Sequence, residues 1–174
     1  MPDALTPPLG ADDHVDGAPD APLSLVMYGD FQCPYCSAAQ PIVRRVRARL
    51  GDRLRFAFRH LPLTTAHPDA QRAAEAAESA AAQGAFWPMH DALYARRGRL
   101  ELDDVLQAAR DAGVDPEQVR ADLESGVWAA RVSRDADSAR ASGVTGTPGF
   151  FANGVRVEGS FDAQSLIAAL EAGE

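Results

Sequence analysis

The chain contains two cysteines, Cys33 and Cys36, which lie three residues apart. A Cys-x-x-Cys pair supports one of two chemistries, thiol–disulfide exchange or zinc binding. The pair follows an apolar run, Leu23–Tyr28, that predicts a buried strand, and it opens a segment, Pro34–Leu50, that predicts a helix. A strand-to-helix junction is where redox-active cysteines are expected, so the position favours thiol–disulfide exchange.

The predicted helix start bears directly on the reactivity of Cys33. Unpaired backbone N–H groups and the helix dipole favour negative charge at this end, and such positions lower a cysteine pKa to roughly 3.5–7.5. Pro34 suits the first helical turn, and Asp30 is a possible opposing charge. Cys36 lies one turn on and is expected to face inward, where it would resolve a mixed disulfide formed at Cys33.

A zinc site remains the alternative for the same two cysteines. Zinc needs four ligands, commonly from a second cysteine pair or from two histidines three to five residues apart. The four histidines of the chain have none of these spacings: His14, His60, His67 and His90. We interpret His60, His67 and His90 as structural residues, because a histidine beside an apolar helix or loop is usually only hydrogen-bonded there. A metal-binding module built on Cys33 and Cys36 stays as a competing hypothesis.

Composition excludes several classes of function. The 174 residues carry a net charge of −8, which argues against nucleic acid or an anionic membrane surface as the main partner. All 17 basic residues are arginine, so lysine-dependent chemistry such as a Schiff base or a Walker-type phosphate loop is excluded. No run approaches the roughly 20 apolar residues of a membrane span.

The first 22 residues are acidic and rich in proline and glycine, which predicts a poorly ordered N-terminal arm, with a short edge strand possible at His14-Val15. The arm has neither a basic start nor the apolar run of a signal peptide. We therefore expect a cytoplasmic protein, with a periplasmic or extracellular location as the alternative if a leader has been removed.

The remaining elements follow from periodicity and from capping residues. Arg53–His60 alternates polar and apolar residues, which predicts a strand with Leu54, Phe56 and Phe58 on its buried face. Five helices are predicted next: Pro68–Gln83, Phe86–Arg97, Leu102–Ala112, one that starts at Pro116 and stops at Gly126, and Val127–Ser142. Asn153-Gly154 then predicts a tight hairpin, and Asp162 is the expected cap of a last helix.

Several motifs together resemble the DsbA-like branch of the thioredoxin fold. Phe31-Gln32-Cys33-Pro34-Tyr35-Cys36 is similar to the active-site pattern of that family, and Val144-Thr145-Gly146-Thr147-Pro148 is similar to its cis-proline loop. Three further segments resemble motifs of bacterial members: Phe58–Leu63, His67-Pro68 and Phe86–Asp91. The resemblance covers roughly residues 14–172.

The resemblance implies an α/β fold with a central mixed sheet and helices on both faces. Residues 23–60 and 144–174 would form the thioredoxin-like domain, residues 61–143 an inserted helical subdomain, and residues 1–22 the arm. The implied site has Cys33 and Cys36 as the catalytic pair. It also has Pro34, Tyr35, Thr147 and Pro148 as the substrate-binding loops, with a cis Thr147–Pro148 bond that faces Cys33.

The implied activity is thiol–disulfide exchange with a protein or a small-molecule disulfide. No cofactor is expected beyond a redox-active Cys33–Cys36 disulfide, and glutathione or a thioredoxin system is a possible electron partner. A glutathione-dependent transferase or isomerase of the same superfamily is an alternative, although such proteins often have a single serine or cysteine in place of the pair. The direction of electron flow stays open, because known catalysts span about −270 to −120 mV.

Overall fold

The computed structural model describes residues 3–159 and 161–174. Met1 and Pro2 of the predicted arm, and Ser160 of the predicted C-terminal segment, lie outside the described residues. The chain forms two compact units. The first contains the described residues up to Gly29 together with Ala38–Arg59 and Asp137–Glu174, and the second contains Asp30–Ser37 and His60–Ala136.

The first unit contains a five-stranded sheet. One residue of the sheet, His60 at the end of the third strand, belongs to the second unit. The strands are β1 (His14–Asp16), β2 (Leu23–Gly29), β3 (Leu54–His60), β4 (Gly149–Ala152) and β5 (Val155–Arg156). Their order in the sheet is β1-β3-β2-β4-β5. β1 pairs with β3, β2 with β4, and β4 with β5, all antiparallel.

Strand β3 is buried more completely than its sequence pattern predicts. Leu54, Phe56 and Phe58 are buried, as expected of one apolar face. Ala57 and Arg59, on the face predicted to be polar, are buried as well. The alternation of polar and apolar residues predicted one solvent-exposed face. It could not show that the charged side chain of Arg59 is buried together with its partners.

The described part of the N-terminal arm makes buried contacts with the sheet, so the expectation of a poorly ordered segment is wrong. The Arg59 guanidinium is only 3% exposed and donates hydrogen bonds to Asp13 at 2.7 and 2.9 Å and to the carbonyl oxygens of Pro7 and Pro8 at 3.0 and 3.3 Å. Leu5 is also buried. A buried cation requires such partners, and the arm supplies them.

Seven α-helices occur among the described residues, close to the predicted positions. They are α1 (Pro34–Leu50), α2 (Ala70–Ala82), α3 (Phe86–Ala95), α4 (Leu102–Asp111), α5 (Pro116–Ser125), α6 (Ala129–Ala141) and α7 (Ala163–Glu171). α1 has the predicted bounds, whereas α2 begins two residues later than predicted because His67–Ala70 forms a turn closed by Ala70 N–H and the His67 carbonyl at 3.2 Å. None of the helices among the described residues is both long and apolar enough to cross a membrane.

The hairpin between β4 and β5 has the predicted turn. Asn153 and Gly154 have φ values of 51° and 81°, which is what a two-residue turn of this type requires at both central positions. The Asn153 side chain is also bonded: its oxygen accepts from Ser24 N–H at 3.0 Å, and its nitrogen donates to the Leu170 carbonyl at 2.8 Å.

The predicted cap of α7 is present, because the Asp162 carboxylate accepts a hydrogen bond from Ser165 N–H at 2.8 Å. We expect Asp162→Ala to lower the free energy of unfolding by about 1 kcal/mol, since it removes the acceptor of an otherwise unsatisfied N–H group. Urea denaturation measures the effect. Asp162→Asn, which keeps a side-chain oxygen, is the control, and equal losses in both variants would contradict the capping role.

A polar cluster in the second unit is centred on Asp122 of α5. Its carboxylate accepts hydrogen bonds from Ser79 Oγ at 2.7 Å, Trp128 Nε1 at 3.0 Å and Gln118 Nε2 at 2.8 Å. Burial by itself raises the pKa of this carboxyl, but the three hydrogen bonds outweigh it and hold the pKa below its ordinary value.

This cluster predicts a pH dependence of stability. A lowered folded-state pKa gives stability that is complete above the unfolded pKa of about 3.9 and is lost as pH falls through the folded pKa. We therefore expect Asp122→Asn to make stability less dependent on pH below about 4. Urea unfolding between pH 5 and pH 2 tests this, with Glu124→Gln on the same helix as the control, and parallel curves for wild type and Asp122→Asn would contradict it.

Candidate active site

The local geometry places Cys33 at the cap of α1. Its N–H donates to the Asp30 carbonyl at 3.1 Å, and its own carbonyl accepts the first helical bond from Ser37 N–H at 3.1 Å. The backbone therefore turns at Asp30 and enters the helix at Cys33. This is the arrangement in which the first N–H groups of a helix favour a thiolate.

The four residues of the motif differ sharply in exposure. Cys33 is 3% exposed and Cys36 is 0% exposed, so both sulfurs are shielded from bulk water. Pro34 is exposed, and Tyr35 is 69% exposed, which is unusual for a large aromatic side chain. The site thus presents an apolar dipeptide to solvent above a buried sulfur pair.

Asp30 anchors the turn that leads to the cysteines. Its carboxylate accepts hydrogen bonds from Gln32 N–H at 2.7 Å and Leu63 N–H at 2.9 Å, and it bonds His67 Nδ1 at 2.7 Å. The side chain is 0% exposed, whereas His67 is 18% exposed. The sequence predicted that this carboxylate is a possible opposing charge, but it did not predict the contact with His67.

Gln32 fixes the residue that precedes Cys33. Its side-chain oxygen accepts from Asp69 N–H at 2.8 Å, and its side-chain nitrogen donates to the Asp69 carboxylate and the Gly98 carbonyl, both at 3.3 Å. The side chain therefore joins three separate segments of the second unit. Gln32 belongs to the motif that resembles the family's active-site pattern, but a glutamine carries no local sequence signal for these contacts, and they were not predicted.

Tyr94 of α3 is a residue near the cysteines that sequence reasoning missed. Its hydroxyl contacts the Asp30 carbonyl at 3.5 Å, and its ring lies 4.9 Å from the ring of Phe31. A hydrogen bond with Cys36 is among the causes that raise the pKa of this phenol. Burial, followed by the charges of Cys36, Asp30 and Cys33, raises the pKa of Tyr94 well above its ordinary value, so the phenol keeps its proton.

The three histidines interpreted as structural each bond a carboxylate within the second unit. His60 Nε2 lies 2.8 Å from Glu78 Oε1, and His90 Nδ1 lies 2.8 Å from Asp91 Oδ1. His67 differs from the other two because its partner, Asp30, belongs to the turn that leads to the cysteines. Its position was therefore more closely tied to the site than the sequence interpretation allowed.

Thr147 and Pro148 lie in the first unit, immediately before β4. The Thr147–Pro148 peptide bond is cis, as the resemblance implied. The next residue, Gly149, packs so closely that a Cβ atom there would lie 2.8 Å from a methyl group of Val144. That Pro148 faces Cys33 stays a prediction.

Comparison with known proteins now adds the family to this geometry. A family model described as Thioredoxin matches residues 10–172. The chain belongs to this thioredoxin family. This match confirms the predicted family. The predicted DsbA-like thioredoxin fold is confirmed by solved structures that superpose on this chain with TM-scores of 0.73 to 0.83.

Three solved structures illustrate the fold of this thioredoxin-family chain. A thioredoxin-like oxidoreductase from Silicibacter pomeroyi is 28% identical, with a TM-score of 0.83 and coverage of 94% of this chain and 93% of that one. BdbD from Bacillus subtilis is 22% identical, with a TM-score of 0.82 and coverage of 91% and 90%. A periplasmic thioredoxin-like protein from Salmonella enterica serovar Typhimurium is 22% identical, with a TM-score of 0.73 and coverage of 92% and 88%.

Curated relatives of this thioredoxin-family chain have a different name. Na(+)/H(+) antiporter NhaA 1 of Salinispora arenicola is 48% identical over 91% of this chain and 24% of the relative. The protein of the same name from Mycolicibacterium gilvum is 49% identical over 92% of this chain and 26% of the relative. The chain thus spans about a quarter of the length of these relatives.

Proposed function

We propose that the chain is a thiol–disulfide oxidoreductase in which Cys33 is the attacking sulfur and Cys36 the resolving one. The observation that carries the proposal is the position of Cys33 at the cap of α1, with Cys36 buried one turn further along the helix. The 28% identical oxidoreductase structure supports the same class of activity.

The proposed cycle has two exchange steps. The Cys33 thiolate attacks one sulfur of a substrate disulfide, so the substrate S–S bond breaks, a mixed disulfide forms and the other substrate sulfur leaves as a thiolate. The Cys36 thiolate then attacks the Cys33 sulfur and releases the second substrate thiolate. The substrate gains two electrons and the Cys33–Cys36 pair loses two. Glutathione or a thioredoxin system would return the dithiol, and the reverse sequence oxidises a dithiol substrate.

The proposed substrate contacts come from the motif and from the cis-proline loop. Pro34 and the exposed Tyr35 would pack against an extended substrate segment beside the attacking sulfur. Thr147 and Pro148 would offer backbone groups to the same segment, in the manner of an added β-strand. No cofactor beyond the cysteine pair enters this proposal.

The proposed location is an oxidising compartment outside the cytoplasm. The expectation of a cytoplasmic protein gains no support from the solved relatives, of which the one from Salmonella enterica is periplasmic by name. Disulfide exchange on folding proteins belongs to such compartments, because cytosolic thiols are kept reduced. The alternative location foreseen from the sequence is therefore the one we propose.

Reduction of insulin by dithiothreitol tests the proposed activity. We expect the wild-type chain at micromolar concentration to accelerate the precipitation of the insulin B chain relative to dithiothreitol alone. No acceleration by folded protein, with insulin or with a glutathione-linked peptide as substrate, would contradict an oxidoreductase function.

The two alternatives foreseen from the sequence gain less support. Among the described residues, no group of three potential metal ligands includes Cys33 or Cys36. A glutathione transferase has no need of a second buried cysteine such as Cys36. Elemental analysis and glutathione binding measured by calorimetry distinguish these alternatives from the exchange activity.

The antiporter relatives favour a specific protein partner. We propose that the chain works as part of, or beside, a sodium–proton antiporter, since the match covers 91–92% of the chain at 48–49% identity. Cys36→Ser should trap substrates as mixed disulfides on Cys33, because it lacks the resolving sulfur. Antiporter peptides among the trapped adducts would support this partner, and their absence from adducts trapped in cells that contain the antiporter would contradict it.

A further inference from the structure

The Tyr94 hydroxyl lies at the junction of the active-site turn and the buried sulfur. The Asp30 carbonyl oxygen, which accepts the Cys33 N–H at 3.1 Å, is the same atom that the Tyr94 hydroxyl contacts at 3.5 Å. The hydroxyl therefore lies beside the turn that presents Cys33. Cys36, one turn further along α1, raises the pKa of Tyr94 through its charge and a hydrogen bond, which agrees with a hydroxyl that lies beside the second sulfur as well.

The ring of Tyr94 is held in a fixed position by aromatic neighbours. Its centroid lies 4.9 Å from that of Phe31 and 5.0 Å from that of His90 one helical turn earlier. Phe31 in turn packs edge-on against His90 at 5.8 Å. Packing on both sides leaves rotation of the O–H bond as the main freedom of the side chain.

The hydroxyl has one proton to donate and two acceptors within reach. A contact of 3.5 Å is at the limit of a hydrogen bond, so the Asp30 carbonyl is the weaker acceptor. A thiolate is the stronger one, because a hydrogen bond to a charged group is worth more than a neutral one. When Cys36 ionises, the proton should therefore point to sulfur.

We propose that the Tyr94 hydroxyl donates a hydrogen bond to the Cys36 thiolate and thereby sets the rate at which Cys36 resolves a mixed disulfide on Cys33. The inference rests on the proposed exchange function. In the resolving step the Cys36 thiolate forms a bond to the Cys33 sulfur, the bond from Cys33 to the substrate breaks, and the substrate sulfur leaves with the electron pair and takes a proton from water. Tyr94 keeps its own proton throughout and stabilises the attacking thiolate.

Other charged and titratable groups face this pair and must stay constant in any test. They are Asp30 and its partner His67 from the turns, Cys33 from the start of α1, and His90 from α3. Tyr94→Phe alters none of these groups and removes one oxygen atom. It is therefore a suitable variant to isolate the hydroxyl.

Titration of Cys36 alone tests the hydrogen bond without any assay of activity. In Cys33→Ser protein labelled with ¹³C-cysteine, the Cβ shift of Cys36 reports the thiolate directly. We expect Tyr94→Phe to reduce the thiolate population about tenfold at a given pH below the pKa, which is one pKa unit. Tyr28→Phe is the control, because it loses an equally buried hydroxyl that bonds Ser138 at 2.7 Å and Arg59 at 3.1 Å instead. Equal titrations of Cys36 in Tyr94→Phe and in the unaltered background would overturn the proposal.

Fluorotyrosine incorporation gives a second test if Tyr94→Phe fails to fold. A fluorinated phenol is a stronger donor, so the same Cβ titration should move to lower pH, and an unchanged titration would overturn the proposal. If the Cys36 titration depends on Tyr94 but the protein has no exchange activity, the proposed function is wrong and the hydrogen bond is supported. If the protein has full exchange activity but the Cys36 titration does not depend on Tyr94, the hydrogen bond is refuted and the proposed function is supported.

The pH dependence of the rate at which Cys36 resolves a mixed disulfide gives a further test. With a glutathione mixed disulfide loaded on Cys33, Tyr94→Phe has less thiolate at neutral pH, but each thiolate is more nucleophilic, with a Brønsted coefficient of about 0.4–0.5. We expect release to be roughly threefold slower at neutral pH and faster than wild type above the Cys36 pKa. A uniform slowing at all pH values would indicate a merely structural role and contradict the proposal.

Discussion

We expect Cys33→Ser to abolish the acceleration of insulin reduction, so that the rate equals that of dithiothreitol alone. The physical reason is that the thiolate is the attacking species, and a serine hydroxyl is a weak nucleophile at its ordinary pKa. Because Cys33 is 3% exposed and caps α1, serine fits the same space and can also cap the helix. The loss should therefore occur in a folded protein, which circular dichroism checks.

Two further variants sharpen this result. Cys36→Ser should still attack a disulfide once but should accumulate as a mixed disulfide on Cys33, which intact-mass spectrometry detects. Ser37→Ala, the next residue of α1, removes a hydroxyl of similar size and should keep wild-type activity. An active Cys33→Ser protein, or a folded Cys36→Ser protein that forms no adduct on Cys33, would refute the assigned roles.

Arg59→Met is expected to lower the free energy of unfolding by about 3–5 kcal/mol, the cost of leaving one partner of a buried ion pair uncompensated. The Arg59 and Asp13 side chains are 3% and 7% exposed, and the Nε–Oδ1 distance is 2.7 Å. Burial alone would lower the pKa of Arg59, but hydrogen bonds with Asp13 and Tyr28 and the charge of Asp13 raise it overall, so the guanidinium stays charged. The loss is a large fraction of the roughly 5–15 kcal/mol that stabilises a typical domain.

Urea denaturation of three variants separates this effect from a simple loss of packing. Arg55→Met lies on the same strand, where the Arg55 guanidinium donates to the Pro19 carbonyl at 2.9 Å in an exposed position, so we expect a cost below about 1 kcal/mol. Arg59→Met combined with Asp13→Asn should be more stable than Arg59→Met alone, because the buried charge is gone. Equal stabilities of Arg55→Met and Arg59→Met would contradict the role of the ion pair.

The sequence predicted those parts of the fold that short-range chemistry determines. Asn153-Gly154 predicted the hairpin because few other residues adopt positive φ at both turn positions, and Asp162 predicted a cap that the structure contains. The bounds of α1 also followed from periodicity and from the cysteine motif. The fold class and the family were predicted correctly from these elements and the Gly-Thr-Pro loop.

Contacts between distant segments were not predictable in the same way. Arg59 looked like the polar face of a strand, but it is buried because Asp13 and two carbonyl oxygens reach it from the arm. Tyr94 lies 58 positions after Cys36 in a helix whose periodicity shows only that one face is apolar. Nothing in that pattern indicates that its hydroxyl contacts the Asp30 carbonyl, in the turn that leads to the cysteines. The candidate cysteines were thus predictable, whereas the residues packed around them were not.

Equilibration of the purified chain with glutathione tests the central claim most directly. Acid-quenched samples over a range of reduced-to-oxidised ratios are analysed by mass spectrometry for the link between Cys33 and Cys36. The account predicts one two-electron transition, with a midpoint between about −270 and −120 mV and a mass loss of two hydrogens. Failure of Cys33 and Cys36 to form a disulfide at any ratio, in a folded protein, would contradict it.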